Sequence, residues 1–244
     1  MPYSIPPYIV ATSLDSPVLN YVWDDTRVDE DFLYNPENLI GRMAQVGLHA
    51  KIALGIGIYE WIVFRFRIVS DDPLPFQLAE GAWCANIHRS YMEYFELDRD
   101  EWLGPVRGPL WCAATWLLPM IYFSDDAPEE WESSLAFLSS LAIHVVPIPS
   151  VFESWMDKCV DRMIEFYTMR KPDPFEDLFG EKEEERRGEY VSQEVLDPNF
   201  EYKLEMGKEL LSKFLLNVNY KQNPLLSSPE EMIQKGFKGI PYRL

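Results

Sequence analysis

The side chains able to do chemistry are few, and their spacing ties none of them into an active-site motif. His49, His88 and His144 are the three histidines, and each falls in a different apolar, helix-like segment. A base–acid pair among them would have to be assembled in space. Cys84 and His88 are four residues apart, which puts two possible metal ligands on one helical face. Zinc takes three or four ligands, however, and no second pair follows. Gly55 and Gly57 form a Gly-x-Gly inside an apolar run, without the third glycine or the context of a phosphate-binding loop. A Gly-x-Ser-x-Gly nucleophile elbow is missing. The expectation is a binding protein, with no metal, no cofactor and no catalytic residue.

Carboxylates are the more informative group. Glu60 interrupts the most apolar stretch of the chain, and a carboxylate buried there costs several kcal/mol unless it is paired. Arg65 and Arg67 follow closely, so the reading is a buried ion pair stitching helices together, with a perturbed acid in a pocket as the functional alternative. Paired aspartates recur at Asp24-Asp25, Asp71-Asp72 and Asp125-Asp126, the last followed by Glu129 and Glu130. Such pairs could bind a divalent cation, but no Asp-x-Asp-x-Asp spacing with its glycine supports that. Aspartate also caps helix starts by accepting from free amide groups. Taken together, Asp24, Asp25, Asp71, Asp72, Asp125, Asp126, Glu129 and Glu130 are the candidate partner contacts, an acidic edge suited to a cationic surface.

The elements that must position these residues read as helices. The stretch from Leu39 to Val69 is organised around Ile52–Phe64, apolar except for Glu60 and two glycines. Asn35-Pro36 is a helix start, with proline favoured in the first turn, and one helix, or two broken near Gly47, runs to about Ser70. Gly55 and Gly57 each lower helix propensity by about 1 kcal/mol relative to alanine, so close approach of a neighbouring helix is expected there. Further helices are read over Pro75–Leu97, Arg107–Phe123 with Pro119 kinking or ending it, and Glu130–Val146 after Pro128. Ser150 with Glu153 forms a capping-box signature opening a helix to about Met169. Phe200–Leu216 and a short helix capped by Ser228-Pro229-Glu230-Glu231 complete the set. Residues 1–38 read as an extended acidic arm and 171–199 as a polar linker or mobile segment. A second Ser-Asp-Asp, at Ser124, echoes the one at Ser70 about 54 residues earlier, and a repeat of that period would mean stacked helical pairs. The expected architecture is a single all-α domain over 1–244, a multi-helix bundle or stacked helical hairpins around a central apolar helix.

Charge restricts the partner. With 22 basic and 40 acidic residues the net charge is −18, which opposes nucleic-acid phosphates and anionic membrane surfaces and suits a basic protein. The longest stretch of the apolar centre without a formal charge, Ile52–Tyr59, is far short of the roughly 18 residues of a membrane span. Three cysteines in apolar patterns read as buried thiols in a reducing compartment, and a Pro-rich amino terminus without early basic residues is not a signal peptide. A cytoplasmic protein is the expectation; oligomeric state stays open.

Two stretches carry a family resemblance. Ala53–Phe66, ALGIGIYEWIVFRF, resembles the central apolar helix of helical bacterial immunity proteins, and the ending Asn223–Leu244, NPLLSSPEEMIQKGFKGIPYRL, is similar to that class as well. The class belongs to interbacterial effector–immunity systems such as type VI secretion. The resemblance implies a cytoplasmic, non-enzymatic protein that binds one cognate toxin and blocks or distorts its active site. Many such toxins are nucleases with basic clefts. Competing readings are a helical-repeat scaffold that binds a peptide or protein on a concave face, and an enzyme using Glu60, His49 or His88 in a shared pocket.

Overall fold

The computed structural model describes residues 4–10, 14–28, 36–123, 128–169 and 187–244, the side chains of 36–37 and 128–132 excepted. Eight helices are built from them: α1 (Pro36–Met43), α2 (Leu48–Phe66), α3 (Leu74–Ile87), α4 (Gly104–Tyr122), α5 (Pro128–Val145), α6 (Pro149–Tyr167), α7 (Gly207–Asn217) and α8 (Pro229–Gln234). No strand is present among the described residues; two isolated bridges, Val46 to Thr168 and Met92 to Leu226, pin loops together. The all-α bundle expected from the periodicity is the fold.

All 19 residues of α2 are buried, because α3, α4, α5 and α6 pack around it. A helix apolar on every side has no solvent face and must be central. The two glycines serve that packing. A Cβ on Gly55 would lie 3.1 Å from the Met120 side chain of α4, and one on Gly57 would lie 2.6 Å from Leu196 and 3.2 Å from Trp155. The close neighbour at Gly57 is thus a 3-10 turn, Gln193–Leu196, together with α6. In a solenoid each unit touches its sequence neighbours alone; here α2 touches four helices, so the arrangement is a bundle. The second Ser-Asp-Asp lies outside the described residues.

Boundaries differ from the sequence reading in instructive ways. The chain does break before α2, at Gly47. Helix α3 ends at Ile87, ten residues short of Leu97, because His88 turns extended and its Nδ1 accepts from the Ser90 amide. That turn aims Tyr91 into a satellite core with Cys84, Ile87, Leu211, Leu215, Met232 and Tyr242. Pro119 sits inside the last turn of α4 without ending it. The capping box at Ser150 does not form: α6 starts at Pro149, with Ile148 before it and no side-chain cap. The box at Ser228 is complete, the Ser228 hydroxyl accepting from Glu231 N–H at 3.2 Å and the Glu231 carboxylate from Ser228 N–H at 2.7 Å. The polar reading of 171–199 fails for its end, where Val191, Ser192, Val195 and Leu196 are buried; residues 170–186 lie outside the described set.

The amino-terminal arm carries no helix in its described part, 4–10 and 14–28, yet it is fastened along its length. Tyr8, Ile9 and Leu14 are buried, and Arg65 of α2 holds the next stretch. Its Nη1 and Nη2 donate to the Ser16 and Val18 carbonyls at 2.6 and 2.8 Å, and its Nε to the Val145 carbonyl at the end of α5 at 3.1 Å. Further on, His144 Nε2 meets the Val22 carbonyl at 2.8 Å. The arm is a strap across the bundle. At the far end of the chain, Asn223 Nδ2 donates to the Gln77 carbonyl at 2.8 Å and to Glu80 at 2.9 Å, tying the tail to α3. Tyr242, at a left-handed φ of 60°, donates its hydroxyl to the Ser227 carbonyl at 2.7 Å.

Candidate functional site

Two places gather polar groups that the sequence singled out. The first surrounds Glu60, which is 6% exposed in the middle of α2. Its described hydrogen bond comes from the Tyr8 hydroxyl of the strap. The expected ion pair is not there: Arg65 is spent on three backbone carbonyls, and Arg67 pairs with Asp15 at the surface. Burial pushes the Glu60 carboxyl up to about 8, and the Trp83 indole works against that shift without reaching hydrogen-bond geometry. Aromatic rings close the surroundings. Tyr8 stacks on Trp155 at 5.6 Å, and Trp155 meets Trp61 at 5.5 Å and Phe152 at 5.6 Å. Trp155 is itself fixed by donating to the Leu196 carbonyl at 2.8 Å.

The second place is the amino-terminal end of α4. Asp25 accepts the Gly104 amide with both oxygens, at 2.9 and 3.2 Å, and the Trp23 indole N–H at 2.7 Å. It thereby satisfies a free donor at the helix start, where negative charge also meets the positive end of the helix dipole. Asp72 accepts the Leu74 amide at 3.0 Å, opening α3, and pairs with Arg107 of α4 at 3.2 Å. Asp24 is exposed and closes a turn, its carboxylate accepting from the Thr26 amide at 2.9 Å and hydroxyl at 2.7 Å. Those bonds, the amide first, hold its carboxyl below the usual range. Asp71 is exposed beside Asp72. The fold therefore brings Asp24, Asp25, Asp71 and Asp72 to one helix end, where the exposed Asp98, Asp100 and Glu101 precede α4 in a 3-10 turn.

Of the other four candidates, two can be placed. Asp125 and Asp126 lie outside the described residues. Glu129 and Glu130 stand in the first turn of α5, beyond the opposite end of α4, whose 19 residues span about 28 Å at 1.5 Å per residue. Of the six candidates with a described backbone, four stand at one end of α4 and Glu129 and Glu130 beyond the other. Within the first group, Asp25 and Asp72 are occupied as helix caps.

Seating Asp25 depends on a glycine that the sequence reading passed over. A Cβ on Gly108 would fall 2.2 Å from the Trp23 indole nitrogen and 2.7 Å from Asp25 Oδ1. Gly108→Ala should expel Trp23 and Asp25 from α4, costing about 1–3 kcal/mol as an overpacked site does. The check is thermal unfolding together with tryptophan fluorescence; an unchanged midpoint and spectrum would show that the strap does not need this contact.

The histidines are dispersed. His49 stacks on Tyr190 at 4.9 Å, His88 caps its own turn and meets Phe237 at 4.8 Å, and His144 serves the strap. Burial, then Arg187 and Arg89, pull His88 below the ordinary histidine range. His49 and Glu60, eleven residues apart on α2, are separated by about 16 Å of helix. None of the described hydrogen bonds joins a histidine to Glu60 or to another histidine, so the shared pocket of the enzyme reading has no geometric counterpart there. All three cysteines are free and buried, and among the described residues no cluster of His, Cys, Asp or Glu could hold a metal ion. No described helix is long and apolar enough to cross a membrane.

Comparison of the chain with protein-family models, with curated proteins and with solved structures finds no match. The functional reading rests on the residues themselves.

Proposed function

We propose that the protein is an immunity-type inhibitor that binds a basic toxin through the acidic end of α4. The observation that carries this reading is the convergence of two acidic pairs, some 47 residues apart in sequence, with Asp98, Asp100 and Glu101 at one exposed helix end. Val22 and Leu103, 72% and 50% exposed, flank it. Apolar anchors inside a charged rim are the usual composition of a protein-binding patch, and a net charge of −18 steers a cationic partner toward it. The partner's basic cleft, of the kind that binds phosphates in a nuclease, would be occluded by carboxylates taking the place of those phosphates. Three buried free thiols suit work in the cytoplasm. The likeness of the α2 core and of the tail to immunity proteins supports the same reading.

The test separates docking from folding. Asp71, Asp100 and Glu101 carry no described side-chain hydrogen bond, so their replacement leaves the caps intact. The triple variant Asp71→Lys, Asp100→Lys, Glu101→Lys should associate with the cognate toxin at least ~10-fold more slowly at low salt, with an unchanged melting temperature. Wild-type association should slow as salt is raised. Wild-type and variant associating at the same rate would overturn the assignment of this surface. A protein that protects against no toxin encoded beside it would overturn the function.

A further inference from the structure

A cleft of about 420 Å³ opens at the carboxy-terminal end of α4, a volume within the range of small-ligand sites. Three segments far apart in sequence build it. Arg89 and Ser90 come from the 3-10 turn after α3, Tyr122 is the last residue of α4, and Lys235 stands at the end of α8. Beyond the turn the backbone runs extended at Met92, which bridges to Leu226, and carries Glu93 and Tyr94 into the lining. The Tyr122 hydroxyl donates to the Met92 carbonyl and holds α4 against this run. The tail is fastened to it as well, since the Ser227 amide donates to the Tyr91 carbonyl at 2.8 Å and Lys235 pairs with Glu93. The cleft is therefore preformed.

Its charge runs against that of the chain. From Lys203 onward seven basic residues stand against four acidic ones, in a protein of net charge −18. Among the described residues the cleft sets Arg89 and Lys235 against Glu93. The Lys235–Glu93 pair is exposed at both ends, and such pairs contribute about 1 kcal/mol or less. An ammonium has three donors, so Lys235 can hold a second carboxylate beside Glu93. The Ser90 hydroxyl enters none of the described hydrogen bonds and adds a further donor to the lining.

An aromatic shelf continues from these donors. Tyr94 meets Tyr122 at 5.6 Å and Phe123 at 4.9 Å, and Tyr94 and Phe123 stay 38% and 44% exposed. Phe123 lies outside the lining, so a small anion seated in the cleft would leave the shelf uncovered. Exposed aromatic side chains beside fixed polar groups are the composition of a surface that anchors another chain.

We propose that this cleft binds an acidic peptide segment of a partner protein. A carboxylate side chain of the segment meets Arg89 and Lys235 through charge-assisted hydrogen bonds, and a neighbouring apolar side chain lies on Tyr94 and Phe123. The site takes the opposite charge from the acidic group at the other end of α4 and does not depend on the function proposed above.

The experiment follows the amide NMR spectrum of the full chain during titration. Its probes are acetyl-Gly-Glu-Phe-Gly-amide, the same peptide with Gln for Glu, and phenylacetate as a free carboxylate. The Glu peptide should shift the amides of Ser90, Tyr94 and Phe123 saturably, and the Gln peptide should bind at least ~10-fold more weakly. Lys235→Glu should raise the Kd of the Glu peptide at least ~10-fold with an unchanged melting temperature, whereas Lys235→Arg should keep the binding. Tyr94→Ala, which leaves every charge in place, should also weaken it, and decides the matter if Lys235→Glu lowers the melting temperature. Equal binding of the two peptides, saturable shifts confined to other residues, or no saturation with either peptide would overturn the proposal. Phenylacetate binding as tightly as the Glu peptide would overturn the peptide as occupant and assign the cleft to a small carboxylate.

Discussion

Replacing Glu60 by glutamine should stabilise the protein in mildly alkaline solution and flatten its dependence on pH. The carboxyl goes from about 4.5 to about 8 on folding, through burial. Between those values the folded chain keeps a proton that the unfolded chain has released. Stability therefore falls as pH rises through this window, by about 1.4 kcal/mol per unit for one such group. The contribution is fully present below the unfolded value and fully lost above the folded one, a span of several kcal/mol in order of magnitude. Glutamine resembles the protonated acid and can still accept the Tyr8 hydroxyl. Urea unfolding of wild type and Glu60→Gln between pH 5 and 9 reads the difference directly. Parallel curves through the window would show that some other group sets the pH response.

Arg65→Met should be the most damaging change on α2. The guanidinium is 1% exposed and donates to three carbonyls, two in the strap and one at the end of α5. Methionine keeps the apolar stem and strands all three acceptors. An unsatisfied buried acceptor costs about 1–3 kcal/mol, so a loss of about 3 kcal/mol or more is expected, with the strap becoming the first part to exchange. Lysine at this position should recover part of the loss, because an ammonium carries the charge without the planar fork. Denaturant midpoints and residue-level exchange test both statements; a loss below about 1 kcal/mol would mean that water replaces the fork readily.

The helical class and the centrality of α2 were legible because both are written locally. An apolar run with no polar face admits one position in a bundle, and Gly55 and Gly57 announce close packing wherever the neighbours come from. Helix ends were less legible. His88 ends α3 through a side-chain bond to an amide two residues on, in a stretch whose apolar rhythm continues undisturbed. The Glu60 site was legible as a buried acid and illegible in its partner, since nothing near Glu60 in sequence points to Tyr8, 52 residues away. Proximity along the chain points to Arg65 and Arg67 as partners; the fold turns Arg65 toward the strap and pairs Arg67 with Asp15 instead. At the end of α4, the pairs Asp24-Asp25 and Asp71-Asp72 are legible by type, but their meeting depends on Gly104 and Arg107, far from them in sequence. Gly108 carried no readable signal: its role exists when Trp23 lies against it.

The strap also sets an order in time. Translation makes Tyr8 about 150 residues before its stacking partner Trp155. At roughly 5–20 residues per second that interval is about 7–30 s. Val22 waits nearly as long for His144, which is 122 residues downstream. Through this period the apolar stretch of α2 is already made while α6, which packs on it, is not, so part of its apolar surface stays open until α6 emerges. The strap is made before the helices it crosses and can be seated only after them.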